Sequence, residues 1–391
     1  MSKNKKVYLC LAHMSGNEMK FIQEAFDTNW VVPLGPNVNG FEEDLEKFVG
    51  EGKKVVALAS GTAAVHLGMV SLGVGPGDEV VCQSFTFAAS CNPARYLGAT
   101  PVFVDSEEKT WNIDPNILED AVKDRIRKTG RKPKAIVPVY MYGMPAYIDE
   151  VLAVGKQYDI PVLEDSAEAF GSLYKGRMTG SLGEYGVMSF NGNKMITTSG
   201  GGALICPNEE AKKRIMFYAT QAREDKPYYL HEHIGYNYRM SNVCAGIGRG
   251  QMTVVHDHIE HHRKIAAMYA EAFEGHPIVK VHTEPEEYMR SNFWLSTITF
   301  ETGDTNISEM EPAPIVMEAM AALAAEDIES RPLWRPMHTQ PVYNGAPAYI
   351  NGTCERLFKK GLCLPSGPCV DDSDVERVIK TIKKVAEGHL V

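Results

Sequence analysis

The chain has 391 residues, of which 44% are hydrophobic and 23% charged. That is enough apolar material for a large core and, by length, for two or three domains. With 50 acidic residues against 40 lysines and arginines the formal charge is −10, and no long basic run breaks the pattern, which argues against nucleic acid or an anionic membrane surface as the main partner.

The N-terminal stretch "MSKNKKVYLCLAH" starts basic, but its short apolar run is followed by no small-residue cleavage site. It does not read as a signal peptide, and no other stretch approaches membrane-spanning length. A cytoplasmic location follows as the expectation. Eight cysteines are scattered without a CxxC pair, so reduced thiols are expected and the "NGT" sequon at Asn351 is a chance match.

From about residue 50 to 210 one grammar repeats: a short β-branched run, a turn, then a stretch of helical period. The predicted strands are "VVALAS", "DEVVCQS", "TPVFVDS", "KAIVPVY", "IPVLEDS", "YGVMSF" and "GGALICP". Between them lie predicted helices such as "TAAVHLGMVSLGV", "DPNILEDAVKDRIR" and "YIDEVLAVGKQYD". Such alternation predicts an α/β fold with a mostly parallel central sheet sandwiched by helices. After about residue 250 come a long predicted helix, "VVHDHIEHHRKIAAMYAEAF", a strand "FWLSTITF" and two further helices. We therefore expect a large α/β domain over 1–250 and a smaller C-terminal α+β domain over 251–391.

Ligands of open parallel sheets bind where strands end, so residues at those ends carry the information. "ALASGTAAVHL" runs a strand through Ser60, Gly61 and Thr62 into a helix. Free amides at a helix start suit a phosphate, and the same pattern also describes an ordinary capped helix. "IPVLEDSAEAFGS" ends a strand on Glu164, Asp165 and Glu168, which suit a metal, a base or a buried ion pair, or a helix cap. "SFNGNKMITTSGGG" isolates Lys194 among apolar and small residues, where lost hydration would favour a neutral, nucleophilic amine; the competing reading is a lysine reaching solvent. "QSFTFAAS" offers Phe85 and Phe87, either of which could stack on a planar ring, with a core role the better description of Phe85.

Taken together, an anion site, an aromatic face, a carboxylate and an activated amine are what pyridoxal phosphate requires. In the helix "HDHIEHHRK", His258 and His262 lie four apart, a spacing that suits a metal pair. No carboxylate or cysteine set completes it, so a solvated helix face is expected, and no metal. The Gly fingerprint of a dinucleotide site is missing.

The same residues carry a resemblance. "SGTAAVHL", "TFAA", "EDSAEAFGS", "SFNGNKMITTSGGG", "GYNYRMSN" and "ESRPLWRPMH" occur in order and resemble the successive signatures of the sugar aminotransferase family, fold type I pyridoxal phosphate enzymes that aminate keto sugars on nucleotide diphosphates. The resemblance implies that Lys194 is the Schiff-base lysine, Asp165 the pyridinium partner and Phe87 the stacking residue. It further implies that Gly61, Thr62 and Ser189 contact the phosphate and that Glu168 lies near the phenolic oxygen. Asn237 resembles a residue that reaches the phosphate from a neighbouring subunit, which implies a homodimer with shared sites. Tyr140 stands where many relatives have His, so that position is given no catalytic role. Relatives that are dehydratases carry His in place of the lysine; Lys194 therefore implies transamination with L-glutamate as donor.

The stretches "HMSGNEMKFIQEAFDTNWVVPLGPNVNGFE" and "ESRPLWRPMHTQPV" resemble the subgroup that makes UDP-4-amino-4,6-dideoxy-N-acetylglucosamine, on the bacillosamine route. They are expected to line the outer pocket, with Arg331, Arg335 and His338 at the diphosphate; a solvated surface or a structural ion pair is the competing account of the arginines. A dTDP- or GDP-linked acceptor, and a non-catalytic cofactor-binding regulator, are the alternative readings.

Overall fold

A computed structural model describes residues 5–302 and 310–390. Helices α1 (Glu18–Asp27) and α2 (Pro36–Val49) precede β1 (Lys54–Leu58) and α3 (Gly61–Ser71). The alternating region then runs β2 (Glu79–Gln83), α4 (Asn92–Tyr96), β3 (Thr100–Val104), α5 (Pro115–Thr129), β4 (Ala135–Val137), α6 (Ile148–Gln157) and β5 (Leu163–Asp165). A two-strand ribbon, β6 (Leu173–Tyr174) and β7 (Arg177–Met178), leads to β8 (Tyr185–Ser189), β9 (Gly202–Cys206) and α7 (Glu209–Ala219).

The remainder comprises α8 (Asn242–Met252), α9 (Val255–Ala272), β10 (Val279–Val281), β11 (Met289–Arg290), β12 (Ser296–Phe300) and α10 (Pro314–Ala325). It ends with β13 (Arg331–Pro332), β14 (Ala348–Tyr349), α11 (Thr353–Lys360), β15 (Gly361–Leu364) and α12 (Asp372–Glu387).

Two four-stranded sheets, β1-β9-β8-β5 and β4-β2-β3-β14, meet edge to edge through parallel bridges Ile136↔Val162 and Val139↔Asp165. In the joined sheet β9 is antiparallel to both its neighbours, and the other pairings are parallel. The expected mostly parallel sheet is therefore present. Its strands are near-continuous apolar runs because helices cover both faces. Since β1, β2, β5 and β8 point the same way, Ser60, Phe87, Asp165 and Ser189 all arrive at one edge. A smaller antiparallel sheet, β10-β12-β15-β13, packs on α9, α10 and α12. The termini interleave: Val7 pairs with Ile328, and β14 extends the large sheet beside β3.

One helix forms against its composition, and one expectation from the sequence is changed. Helix α8 contains Gly246, Gly248 and Gly250, a poor helical composition, yet it packs closely on α1 and α2. A Cβ at Gly250 would lie 2.7 Å from the Glu18 backbone, so the glycine serves close helix approach rather than chain flexibility. The expected solvated face of α9 is also corrected: His258 and His262 are buried. Nδ1 of His258 meets the Met195 carbonyl at 3.2 Å and that of His262 the Phe293 carbonyl at 3.2 Å. Burial holds His262 neutral, its pKa pushed down to about 3.

Candidate active site

The turn after β8 carries the lysine. Lys194 N–H donates to the Asn191 carbonyl at 2.9 Å, and Phe190 and Thr198 close the loop behind it through backbone bonds. The Asn193 carbonyl accepts from Trp294 Nε1 at 2.6 Å. So held, the Lys194 side chain is only 13% exposed, its Nζ 3.6 Å from Glu168 Oε1 and 3.8 Å from the Trp294 ring centroid. It points inward rather than to solvent.

Strand alternation separates the two acids of β5, because successive side chains leave opposite faces. Glu164 turns away from Lys194 and is satisfied by Tyr140 Oη and by the amides of Gly180, Leu182 and Gly183. It is a structural carboxylate, not part of the site. Asp165 faces the cavity: Ser90 Oγ donates to its Oδ2 at 2.6 Å and the Ala167 amide to its Oδ1 at 3.1 Å. Burial raises its pKa against the hydrogen bonds and the nearby Lys194, and no cation lies within ion-pair distance among the described residues. Glu168 accepts the Tyr142 amide at 2.7 Å; burial pushes its pKa up to about 7 although Lys194 and that hydrogen bond pull it down.

At the head of α3, the Ser60 side chain accepts from the Ala63 amide at 3.0 Å and its carbonyl from Ala64. The first amides, of Gly61 and Thr62, have no helical acceptor and line the cavity. A Cβ on Gly202 would sit 2.4 Å from the Gly61 nitrogen, so only glycine lets β9 pass this close to the helix start.

Gly61, Thr62, Phe87, Asp165, Glu168, Ser189 and Lys194 thus surround one cavity of about 260 Å³. Phe87 stands at its mouth, 58% exposed and 5.3 Å from Trp334 ring to ring, while Phe85 is buried in the core. An adjoining hollow of about 560 Å³ shares Phe87, Asn193, Trp294 and Trp334 with it and is lined by Arg331 and Arg335. Arg331 pairs with Glu329 at 2.9 Å, and Arg335 is braced by Thr339 at 3.1 Å.

His338 lines neither cavity; it is engaged with Ser84 Oγ at 2.7 Å and Glu355 at 3.3 Å. Asn237 is exposed and sits in a separate hollow with Gln221 and His233. From the N-terminal side it is Leu9 and Cys10, just before "HMSGNE", that line the outer hollow. Sequence reasoning missed Ser90 and Trp294, while Trp334 falls in the stretch expected to line the outer pocket and does line the outer hollow. Ser90 follows the "TFAA" signature directly, whereas Trp294 reads as the start of a core strand and gives no local signal.

The profile of the DegT/DnrJ/EryC1/StrS aminotransferase family matches residues 13–383. The chain belongs to this family. It is a pyridoxal phosphate-dependent sugar aminotransferase, and the orphan amides, the buried unpaired carboxylate and the inward lysine are the partners that cofactor needs. Among its relatives is EpsN of Bacillus subtilis (strain 168), by name a candidate pyridoxal phosphate-dependent aminotransferase, 46% identical over 97% of this chain and 95% of that protein. GDP-perosamine synthase of Caulobacter vibrioides is 32% identical over 98% of this chain and 100% of its own. Spr1654 of Streptococcus pneumoniae, a candidate sugar aminotransferase solved in its pyridoxal phosphate form, superposes with a TM-score of 0.88 at 25% identity, covering 99% of this chain and 100% of that one.

Proposed function

We propose that this aminotransferase moves the amino group of L-glutamate to the C4 keto group of a UDP-linked 2-acetamido-2,6-dideoxy-hexos-4-ulose, giving a UDP-4-amino sugar for surface glycan biosynthesis. The observation that carries the reading is the joining of two cavities: an inner one holding Lys194 and an outer one bearing Arg331 and Arg335. The inner space suits a cofactor, and the outer one has room and positive charge for a sugar diphosphate.

When bound, pyridoxal phosphate supplies an electron-accepting ring and an aldehyde able to carry an amino group. The amides of Gly61 and Thr62 and the Ser189 hydroxyl would hold its phosphate. Asp165 would keep the ring nitrogen protonated, Phe87 would cover one ring face, and Glu168 would stand at the phenolic oxygen. Lys194 Nζ, with the Trp294 ring centroid 3.8 Å away, would anchor the aldehyde carbon and shuttle a proton as base and then acid.

Lys194→Ala is expected to retain bound cofactor but to lose turnover by about 10²-fold or more, read by coupled assay of 2-oxoglutarate release. Wild-type-like turnover in that variant would remove Lys194 from its role. Acceptor identity is read from the visible absorbance of the loaded enzyme, which L-glutamate should bleach and the UDP-linked keto sugar restore. The kinship with GDP-perosamine synthase favours a GDP-linked keto sugar as the second reading; restoration by that compound alone would replace the first.

The same proposal makes the enzyme a homodimer in which Asn237 reaches the phosphate across the interface, supported by its exposure beside Ile234, which is 85% exposed. It also places the enzyme in the cytoplasm, supported by its eight free cysteines. No helix of the described residues is long and apolar enough to cross a membrane. The division into units 1–250 and 251–391 is part of this reading, supported by the small antiparallel sheet being drawn wholly from the second.

A further inference from the structure

Two buried side chains behind the lysine turn have no part in the chemistry above, and each touches the same pair of segments. Gln251, at the end of α8, donates from Nε2 to the His13 carbonyl at 2.8 Å and to Glu18 Oε1 at 2.6 Å. Its Oε1 accepts the Thr197 amide at 3.3 Å. His258, on α9, bonds the Met195 carbonyl through Nδ1 and His13 Nδ1 through Nε2, at 3.2 and 3.3 Å.

A carbonyl only accepts, so the proton of neutral His258 sits on Nδ1, and its Nε2 must accept from His13. Every polar atom of both side chains that faces these segments is thereby used, at 1% exposure for Gln251 and 5% for His258.

One of those segments, residues 194–197, carries the site lysine. The other is the N-terminal arm, whose residues Leu9 and Cys10 line the outer hollow. The arm is tied down at that end as well: the Leu9 amide donates to Glu329, the acid that pairs with Arg331, and the Leu9 carbonyl accepts from Ser366. At the other end Glu18 accepts the amides of Ser15 and Gly16 at 2.8 and 3.0 Å.

Resting on the reading that Lys194 is the reactive lysine, we propose that Gln251 and His258 are positioning residues that clasp the lysine turn to the N-terminal arm. The wall of the outer hollow and the amine of the inner cavity then hold their places as one unit. The neighbouring His262 does not take part; its Nδ1 is spent on Phe293.

The test compares His258→Phe, which keeps a planar ring and deletes both bonds, with His258→Asn, whose amide nitrogen can replace Nδ1 toward Met195 but is too short to reach His13. Gln251→Met provides a second deletion, should His258→Phe not fold. The loaded enzyme is assayed for kcat and for KM of glutamate, and its visible absorbance is titrated with pH, a readout of the lysine's surroundings that is independent of turnover. His258→Phe and Gln251→Met should each lower kcat by about tenfold or more, since small displacements of a reacting group cost that much. Glutamate KM should stay within about twofold and the absorbance midpoint should move, and His258→Asn, which keeps the bond to the lysine turn but not the one to the arm, should fall with His258→Phe.

Wild-type kcat and an unmoved midpoint in both deletion variants would overturn the clasp, as would a His258→Asn variant with wild-type kcat and midpoint. Lys194→Ala, run in parallel, separates the two readings. If it keeps its turnover, the assignment of the lysine falls; if it is inactive while the deletions are silent, only the clasp falls.

Discussion

Glu168 is the residue where burial and charge compete most directly. Its carboxyl is raised to about 7 because burial outweighs the attraction of Lys194 3.6 Å away. The sign of its effect on stability follows: between the unfolded value near 4.3 and about 7, the folded chain binds more protons than the unfolded one. Its stabilising contribution is full below that window and is lost as pH rises through it. In the cofactor-free protein, Glu168→Gln should therefore gain on wild type by roughly 1.4 kcal/mol per pH unit across the window, read from urea unfolding at several pH values. A gap that does not change with pH would mean that the carboxyl is not raised. Lys194 was legible by itself because it interrupts a run of apolar and small residues; the environment that tunes Glu168 comes from Lys194 and Tyr142, both distant in sequence.

Helices α8 and α1 show how an element can be hidden by its composition. Three glycines within five residues lower the helix propensity of this stretch. Packing overrides that propensity because α8 needs those positions bare to lie against α1 and α2, with Gly250 over the Glu18 backbone and Gly248 over the Phe41 ring of α2, each 2.7 Å from an added Cβ. Gly250→Val should improve local helix propensity and yet destabilise the protein by about 1 to 3 kcal/mol through overpacking. Chemical denaturation measures this, and a neutral or stabilising result would mean that α1 yields easily. The contrast with β5 is instructive. That strand was read correctly, but which of Glu164 and Asp165 faces the cavity depends on register, and register is fixed by pairing with β8, Asp165 opposite Val187.

At the scale of the whole molecule, the site is an edge property of the central sheet. Four strands deliver four different chemistries to one end because they run parallel, and the C-terminal part of the chain covers that end with Trp294 and Trp334. Asn237, read as a phosphate contact from a neighbouring subunit, lies outside the cavity of its own chain. If the site is shared, mixing Lys194→Ala with Asn237→Ala subunits should restore up to about one intact site per mixed dimer, giving activity that neither parent variant has. Activity that stays at the sum of the two parents after subunit exchange would mean that each chain completes its own site.

The sequence alone determined the strand-helix alternation, the sheet's parallel character and the residues that end its strands, because these follow from local period and from residues that break it. It also held the ordered signatures that mark the family. Only the tertiary structure decided that His258 and His262 are buried, that Glu164 leaves the site while Asp165 stays, that His338 is tied to Ser84 and Glu355, and that two tryptophans close the cavity. Each of those outcomes depends on which distant segment supplies a carbonyl, an aromatic face or a close backbone, and such partners are set by packing rather than by spacing along the chain.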